Sequence, residues 1–377
     1  MKIVADKDLY QVETLFSRVG ELVLLPGRGI RNHHLLDADA LIVRSTTLVS
    51  EQLLKGTPLK FVASATSGTD HIDLNHLSAK GIAFADAKGS NANAVTDYCL
   101  AAIGEFQGKN ELDDLKPSVG IIGNGMIGSL LAEKIRALGW NVLINDPPQS
   151  GVKQKIDSEI NYHSLDEIAQ CNIVSVHVPL TCSGLYATKN LLGKAFFRTL
   201  PPNAILINTS RGGVIDEDVL IEIMRERDDL SMVVDVWSDE PKCNKKLTEL
   251  AAIATPHIAG YSARAKANGV LQVSGAFSEF FGLDIDASIA LDSTADAFLN
   301  LNYIENYKDA IRKVFSIIDI SSRLKKSVAE GKNLNGPDSF DNLRRSLVKR
   351  GEFSDYMLPG LLSEHGTRFL TAAGFRS

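Results

Sequence analysis

Short apolar runs separated by longer amphipathic stretches recur along the first two thirds of the chain. Lys2–Ala5, Leu22–Leu25, Ala40–Val43, Phe61–Ala65 and Ile82–Ala85 have the length and content of strands, and polar segments of crossover length divide them. That alternation predicts a small parallel α/β domain. A second series runs through Val119–Ile122, Asn141–Asn145, Ile173–Val178, Ala204–Asn208, Val233–Val236 and Ala251–Ala254. Between the two series, Asn93–Phe106 reads as a helix with Val95, Cys99, Ala102 and Ile103 on one face. Ser262–Phe280 reads as another, with Val270, Val273, Phe277 and Phe280 at core-facing spacing. It follows the second series in sequence, yet a helix here can cross back and pack on the first domain. From about residue 286 the pattern changes: Tyr307, Ile311, Val314, Phe315 and Ile318 mark one amphipathic helix. Phe340, Leu343 and Leu347 mark another after the Gly336-Pro337 break. This tail is too apolar for a disordered linker and too short for an independent enzyme, so it is expected to dock or to oligomerise.

The stretch VGIIGNGMIGSLLAEKIRALGWNVLIND, residues 119–146, carries more than periodicity. After the β-branched run, Gly123, Gly125 and Gly128 form G-x-G-x-x-G, which supplies a tight turn, close approach to a pyrophosphate, and close helix–strand packing. Ile127, Leu130, Leu131, Ile135 and Leu138 follow at helical spacing, so the glycines open a helix whose first N–H groups can take phosphate charge. Asp146 ends the next strand, 18 residues past the last glycine. A carboxylate there accepts hydrogen bonds from an adenosine ribose and repels a 2′-phosphate, which selects NAD over NADP.

Composition narrows the classes further. A chain of 377 residues holds two or three domains, and its net charge of −6 comes without a basic stripe, which argues against nucleic acid. Cys99, Cys171, Cys182 and Cys243 lack metal-ligand or redox spacing, so free thiols in a reducing compartment and no bound metal are expected. No apolar run reaches membrane-spanning length, and MKIVADKDL enters a strand without signal-peptide character. A cytoplasmic protein without a membrane partner is the expectation.

Three strand-end segments follow the nucleotide motif: INTSRGGVID (207–216), VDVWSDEP (234–241) and TPHIAGY (255–261). Each places one reactive group past an apolar run: Arg211, Glu240 and His257. Interconversion of an alcohol and a ketone by hydride transfer needs a base for the hydroxyl proton, and histidine titrates near neutrality. A carboxylate on its other ring nitrogen fixes the tautomer and favours the imidazolium. An arginine can hold a substrate carboxylate in a bidentate fork. Together they imply a 2-hydroxy or 2-oxo acid. Taken singly, each has a plainer reading: Arg211 as a surface ion-pair partner, Glu240 as a solvated loop residue, His257 as a turn cap. His177, in NIVSVHVPL, competes for the role of base, and spacing does not choose between the two histidines. Ser45 and Thr66, just past strands of the first series, fit either ligand contacts or ordinary turn caps.

The glycine motif with Asp146, SVHVPLT (175–181), INTSRGGVID, VDVWSDEP and TPHIAG occur in this order, and the chain thereby resembles the D-isomer-specific 2-hydroxyacid dehydrogenases. The resemblance implies catalytic roles for Arg211, Glu240 and His257 rather than His177. It implies cofactor contacts for Gly123, Gly125, Met126, Ile127, Gly128, Asp146, Ser175, Asp235 and Gly260. It also implies two doubly wound, Rossmann-like parallel-sheet domains with the active site in the cleft: a substrate-binding domain of 1–92 completed by 262–285, and an NAD-binding domain of 93–261. VRSTT (43–47), ATSGTDHID (65–73), NDPP (145–148), TPHIAGY and FDNLRRSLVKRGEFS (340–354) are similar to a branch of the family that acts on a phosphorylated hydroxyacid. By that likeness Ser45, Thr66 and Tyr261 contact substrate, and 286–377 forms a small α+β domain that makes a homodimer. The alternatives are a dehydrogenase of another phosphorylated 2-hydroxy acid, such as 3-phosphoglycerate, and a non-catalytic NAD(H)-sensing protein of the same fold.

Overall fold

The computed structural model describes residues 1–106, 116–150, 161–285, 304–347, 349–358 and 362–376. They form two compact units. The first comprises 1–91 and 262–285, and the second comprises 92–261 and the described residues from 304 on.

In the first unit, strands β1 (Lys2–Asp6), β2 (Glu21–Leu25), β3 (Ala40–Val43), β4 (Phe61–Ser64) and β5 (Ala83–Asp86) make one parallel sheet in the order β2-β1-β3-β4-β5. β3 and β4 are buried on both faces, as unbroken apolar runs require. The helix Ala263–Phe281 lies in this unit, and its Phe277 packs edge-on against Phe16 and Phe61 with ring centroids at 5.2 and 5.6 Å. Gly269 lets it approach closely: a Cβ there would stand 2.7 Å from the Ala65 carbonyl oxygen.

The second unit holds β6 (Ser118–Ile122), β7 (Asn141–Asn145), β8 (Ile173–Val176), β9 (Ile205–Asn208), β10 (Ser231–Val234) and β11 (Ile253–Ala254). They form a six-stranded sheet in the order β11-β10-β9-β8-β6-β7, every pair parallel. The chain leaves β6 for one neighbour, β7, and later returns to its other side as β8. This is the switch point at which open α/β sheets bind ligands. The sheet is extended past β7 by a parallel bridge between Ile144 and Tyr162.

Strands end where chemistry begins. β4, β8 and β10 stop at Ser64, Val176 and Val234, one or two residues short of the apolar runs, because the backbone turns there to present polar groups. β11 starts only at Ile253, since Ala251 still caps the helix Lys245–Leu250. The helix Ala92–Phe106 departs more from its pattern: every residue but Asn93 is buried, not one face. Its second face is covered by the helices Tyr307–Val314 and Ile317–Ala329.

Those C-terminal helices and Glu364–Ala373 bury Ile311, Phe315, Ile320, Phe369 and Leu370 in the same core as Tyr98, Ile103 and Ile135 of the second unit. The apolar faces that suggested docking are thus satisfied within the chain, and they do not by themselves require a partner. The described tail is helical apart from a single bridge between Met357 and Arg376. No helix among the described residues is long and apolar enough to cross a membrane.

Candidate functional site

The glycine loop has the shape its sequence implies. Gly123 sits at φ 98°, in the left-handed region, and a Cβ there would lie 2.8 Å from the His177 backbone. At Gly128 a Cβ would come within 1.9 Å of the Gly123 carbonyl oxygen, so only glycine lets the helix Met126–Ala137 start so close to β6. Gly125 is different: nothing stands within 4 Å of its missing Cβ, which leaves room for a ligand at the helix N-terminus. Met126 is exposed and Ile127 half-buried beside it. The Asp146 carboxylate closes the loop, accepting the N–H of Asn124 at 2.6 Å and of Gln149 at 3.0 Å. An open glycine, free helical N–H ends and an acid at the tip of β7 fit a dinucleotide.

At the opposite half of the sheet, β9 runs into a turn built by Asn208, whose Oδ1 accepts the Ser210 N–H and hydroxyl at 3.1 and 2.7 Å. Arg211 follows, its Nη1 donating to the Ser210 carbonyl at 2.7 Å. Gly212 then passes so near the next loop that a Cβ would be 2.1 Å from the Trp237 carbonyl carbon. That contact sets the Arg211 loop against the loop that carries Glu240. The Trp237 indole donates to the Thr255 carbonyl at 2.9 Å and so ties in the third loop.

Glu240 and His257, 17 residues apart, meet directly: Nδ1 of the imidazole lies 2.8 Å from Oε2 and 3.0 Å from Oε1. Burial alone would push the Glu240 carboxyl up, but the charge and hydrogen bond of His257, the Trp237 N–H and the charge of Arg344 together hold it below the usual carboxylate range. Glu240 is therefore an ionised partner at neutral pH. With Nδ1 engaged, the other nitrogen of His257 is left for chemistry, and the residue stands in the left-handed region at φ 53°.

His177 has another environment. Its Nε2 is 2.8 Å from the Ser175 hydroxyl and its Nδ1 3.5 Å from that of Thr209, and desolvation pulls it down to about 3. Such an imidazole is a poor proton acceptor near neutrality. Ser175 is fully buried on β8, against the Cys99 sulfur at 3.8 Å. Asp235 is also fully buried; burial pushes its carboxyl up, against the pull of His257, Thr255 and two backbone N–H groups. Both side chains are used inside the protein. Gly260 and Tyr261 are half-buried at the end of the His257 loop.

Ser45 and Thr66 belong to the first unit. Ser45 is exposed beyond β3, and Thr66 shares a hydroxyl contact of 2.8 Å with Ser64, which also meets Nε2 of His71 at 2.9 Å. Sequence reasoning passed over Arg344 and Arg350. The Arg344 guanidinium lies 4.8 Å from the Tyr261 ring centroid, and Arg350 hydrogen-bonds the His257 loop. Both lie in the tail stretch FDNLRRSLVKRGEFS, where spacing does not mark which of the arginines are buried. Among the described residues no cluster of side chains could hold a metal ion.

Comparison with known proteins identifies the family and the fold. Residues 104–259 match the family model described as D-isomer specific 2-hydroxyacid dehydrogenase, NAD binding domain. The chain is 36% identical to the erythronate-4-phosphate dehydrogenase of Marinomonas sp. over 100% of its own length and 99% of the relative's. It is 39% identical to that of Hahella chejuensis, over 93% and 92%. Among solved structures, NAD+-bound 3-phosphoglycerate dehydrogenase of Entamoeba histolytica aligns with TM-score 0.63 and 27% identity over 75% of this chain and 95% of that one. The D-lactate dehydrogenase of Aquifex aeolicus shares the fold with TM-score 0.61 at 23% identity, over 78% and 98%. The chain belongs to the D-isomer-specific 2-hydroxyacid dehydrogenases.

Proposed function

We propose that this NAD-dependent dehydrogenase oxidises 4-phospho-D-erythronate at C2 to (R)-3-hydroxy-2-oxo-4-phosphobutanoate, within the biosynthesis of pyridoxal 5′-phosphate. The chemistry rests above all on the His257–Glu240 pair at 2.8 Å, set at the strand ends of a dinucleotide-binding sheet. The choice of substrate draws support from erythronate-4-phosphate dehydrogenases, one 36% identical along the whole chain, tail included, and one 39% identical over 93% of it.

Bound NAD supplies the hydride acceptor for the C2 hydrogen. His257 takes the C2 hydroxyl proton as the C–O bond becomes a carbonyl. Glu240 stabilises the resulting imidazolium and holds the proton on the nitrogen it faces. Arg211 holds the C1 carboxylate and polarises the C2 oxygen. Ser45, Thr66 and Tyr261 contact the substrate in this reading. Gly123, Gly125, Met126, Ile127, Gly128, Asp146 and Gly260 line the cofactor, with Ser175 and Asp235 acting from within. The same reading includes a homodimer formed through 286–377 and a cytoplasmic setting, in keeping with free cysteines of which Cys99, Cys171 and Cys243 are buried.

Initial rates of NADH formation with 4-phospho-D-erythronate, 3-phosphoglycerate and D-lactate test the proposal. The expected kcat/KM for the first exceeds the others by at least about a hundredfold, the discrimination available when a polar group of the preferred substrate has a built partner. Preference for 3-phosphoglycerate would reassign the substrate. NADH binding with no turnover of any of the three would favour a sensing protein.

A further inference from the structure

The loop that carries His257 is held by two buried side chains, Asp235 and Arg350. The Asp235 carboxylate accepts the N–H groups of Ile258 and Ala259, each at 2.8 Å, and the Thr255 hydroxyl at 2.6 Å. The carbonyls of the same two residues are taken by Arg350, whose Nη1 donates to Ile258 at 3.1 Å and to Ala259 at 3.2 Å. Its Nη2 donates to the Ala94 carbonyl at 2.9 Å, and the guanidinium lies on the Phe315 ring, 3.9 Å from the centroid. Only 6% of Arg350 is exposed. Both residues that follow His257 are thus bonded through N–H and carbonyl alike.

The clamp answers a specific need. His257 has φ 53°, in the left-handed region that residues with a Cβ enter uncommonly and at an energetic cost. The C-terminal segment supplies further holds along the same stretch of chain. The Ser321 hydroxyl accepts the Ala254 N–H at 3.0 Å, and the Lys325 ammonium donates to the Ala251 carbonyl. Arg350 stands far beyond residues 104–259, the part of the chain matched by the family model.

We propose that Arg350 is a positioning residue for catalysis: by gripping the Ile258 and Ala259 carbonyls it keeps the His257 backbone left-handed and the imidazole on Glu240. This rests on the reading of His257 as the base. Through Arg350 the C-terminal segment acts on the proton transfer without touching substrate. A lysine cannot replace it, because a single ammonium lacks the planar fork that reaches three carbonyls from one side chain. The charged or titratable groups around the guanidinium are Asp97, Glu352, Asp235 and Tyr98, and Arg350→Lys preserves the charge they meet.

The test uses the full-length chain and Arg350→Lys. NADH affinity should stay within about twofold, while kcat falls at least about tenfold, as expected when a catalytic group is displaced slightly. The acid limb of kcat/KM should move to lower pH, the direction expected of Glu240→Gln, and Arg350→Lys should move it no further in a Glu240→Gln background. An unchanged kcat and acid limb would overturn the proposal. So would a loss of kcat matched by an equal loss of folded, NADH-binding protein. Hydrogen exchange on the wild-type chain is the second measurement, and it does not depend on the variant folding. The Arg350 guanidinium protons, accepted by the Ile258, Ala259 and Ala94 carbonyls, should exchange slowly, and rapid exchange there would contradict the clamp. An active His257→Ala would instead overturn the catalytic reading, whereas an inactive His257→Ala beside an unaffected Arg350→Lys would overturn only the role of Arg350.

Discussion

Glu240 is where opposing forces at the candidate site are balanced: its burial favours the neutral acid, and His257 with its other partners wins for the carboxylate. Glu240→Gln removes the negative charge and keeps the shape. The imidazolium then loses its counter-charge, so protonation of His257 requires more acid. Oxidation, which needs the neutral ring, should keep its activity to lower pH, and reduction, which needs the imidazolium, should begin to fall at a lower pH than in wild type. Absolute oxidation rates should drop as well. An unchanged rate and an unchanged pH profile would make Glu240 a bystander. At Asp146 the prediction concerns cofactor choice. NAD should be strongly preferred over NADP, because a 2′-phosphate would meet this carboxylate with Pro147 and Pro148 rather than an arginine beside it. Asp146→Ser should reduce the preference by at least about tenfold, the value of one ion-pair scale interaction. Equal kcat/KM for the two cofactors in wild type would refute the assignment. At this scale the sequence was most informative about residue types and least about partners. Its spacing could not choose between His177 and His257, because the difference lies in desolvation and in a carboxylate 17 positions away.

Among elements, the strand–glycine–helix unit was the most legible, since each glycine answers a local demand of the backbone. Gly128→Ala should test that demand. A methyl group 1.9 Å from the Gly123 carbonyl forces the helix off the strand, with a cost of about 1–3 kcal/mol. Thermal unfolding should shift down and NADH affinity should fall with it; full retention of both would mean that the loop does not need close packing. The strands were legible because apolar runs buried on two faces leave a continuous signal. The helix Ala92–Phe106 was legible only by half. Its other buried positions include small and polar residues, Ala94, Thr96, Asp97 and Ala101 among them, which periodicity does not weigh strongly, and the later helices pack against it. Arg350 escaped for a related reason: an arginine reads as surface until the carbonyls it binds, at positions 94, 258 and 259, are brought to it by the fold.

At the scale of the whole chain, the tail was legible as helical and apolar, but its destination was not. The sequence suggested unburied faces, while in the structure Phe315, Ile320, Phe369 and Leu370 complete the core of the second unit. A chain ending near Gly282 should therefore expose that core and become insoluble, and light scattering of the full-length protein should give the mass of a dimer. A soluble, folded truncation would show that the tail is dispensable to the core, and a full-length monomer would contradict the proposed assembly. The proposed reaction turns on one event, the passage of the C2 hydroxyl proton to His257 as NADH forms. Its most direct test is the initial rate of NADH formation from 4-phospho-D-erythronate by wild type, His257→Ala and His177→Ala, with NADH binding measured for each. His257→Ala should lose at least about a hundredfold in kcat while binding NADH as wild type does, and His177→Ala should stay the more active variant. An active His257→Ala beside an inactive His177→Ala would contradict the proposed reaction.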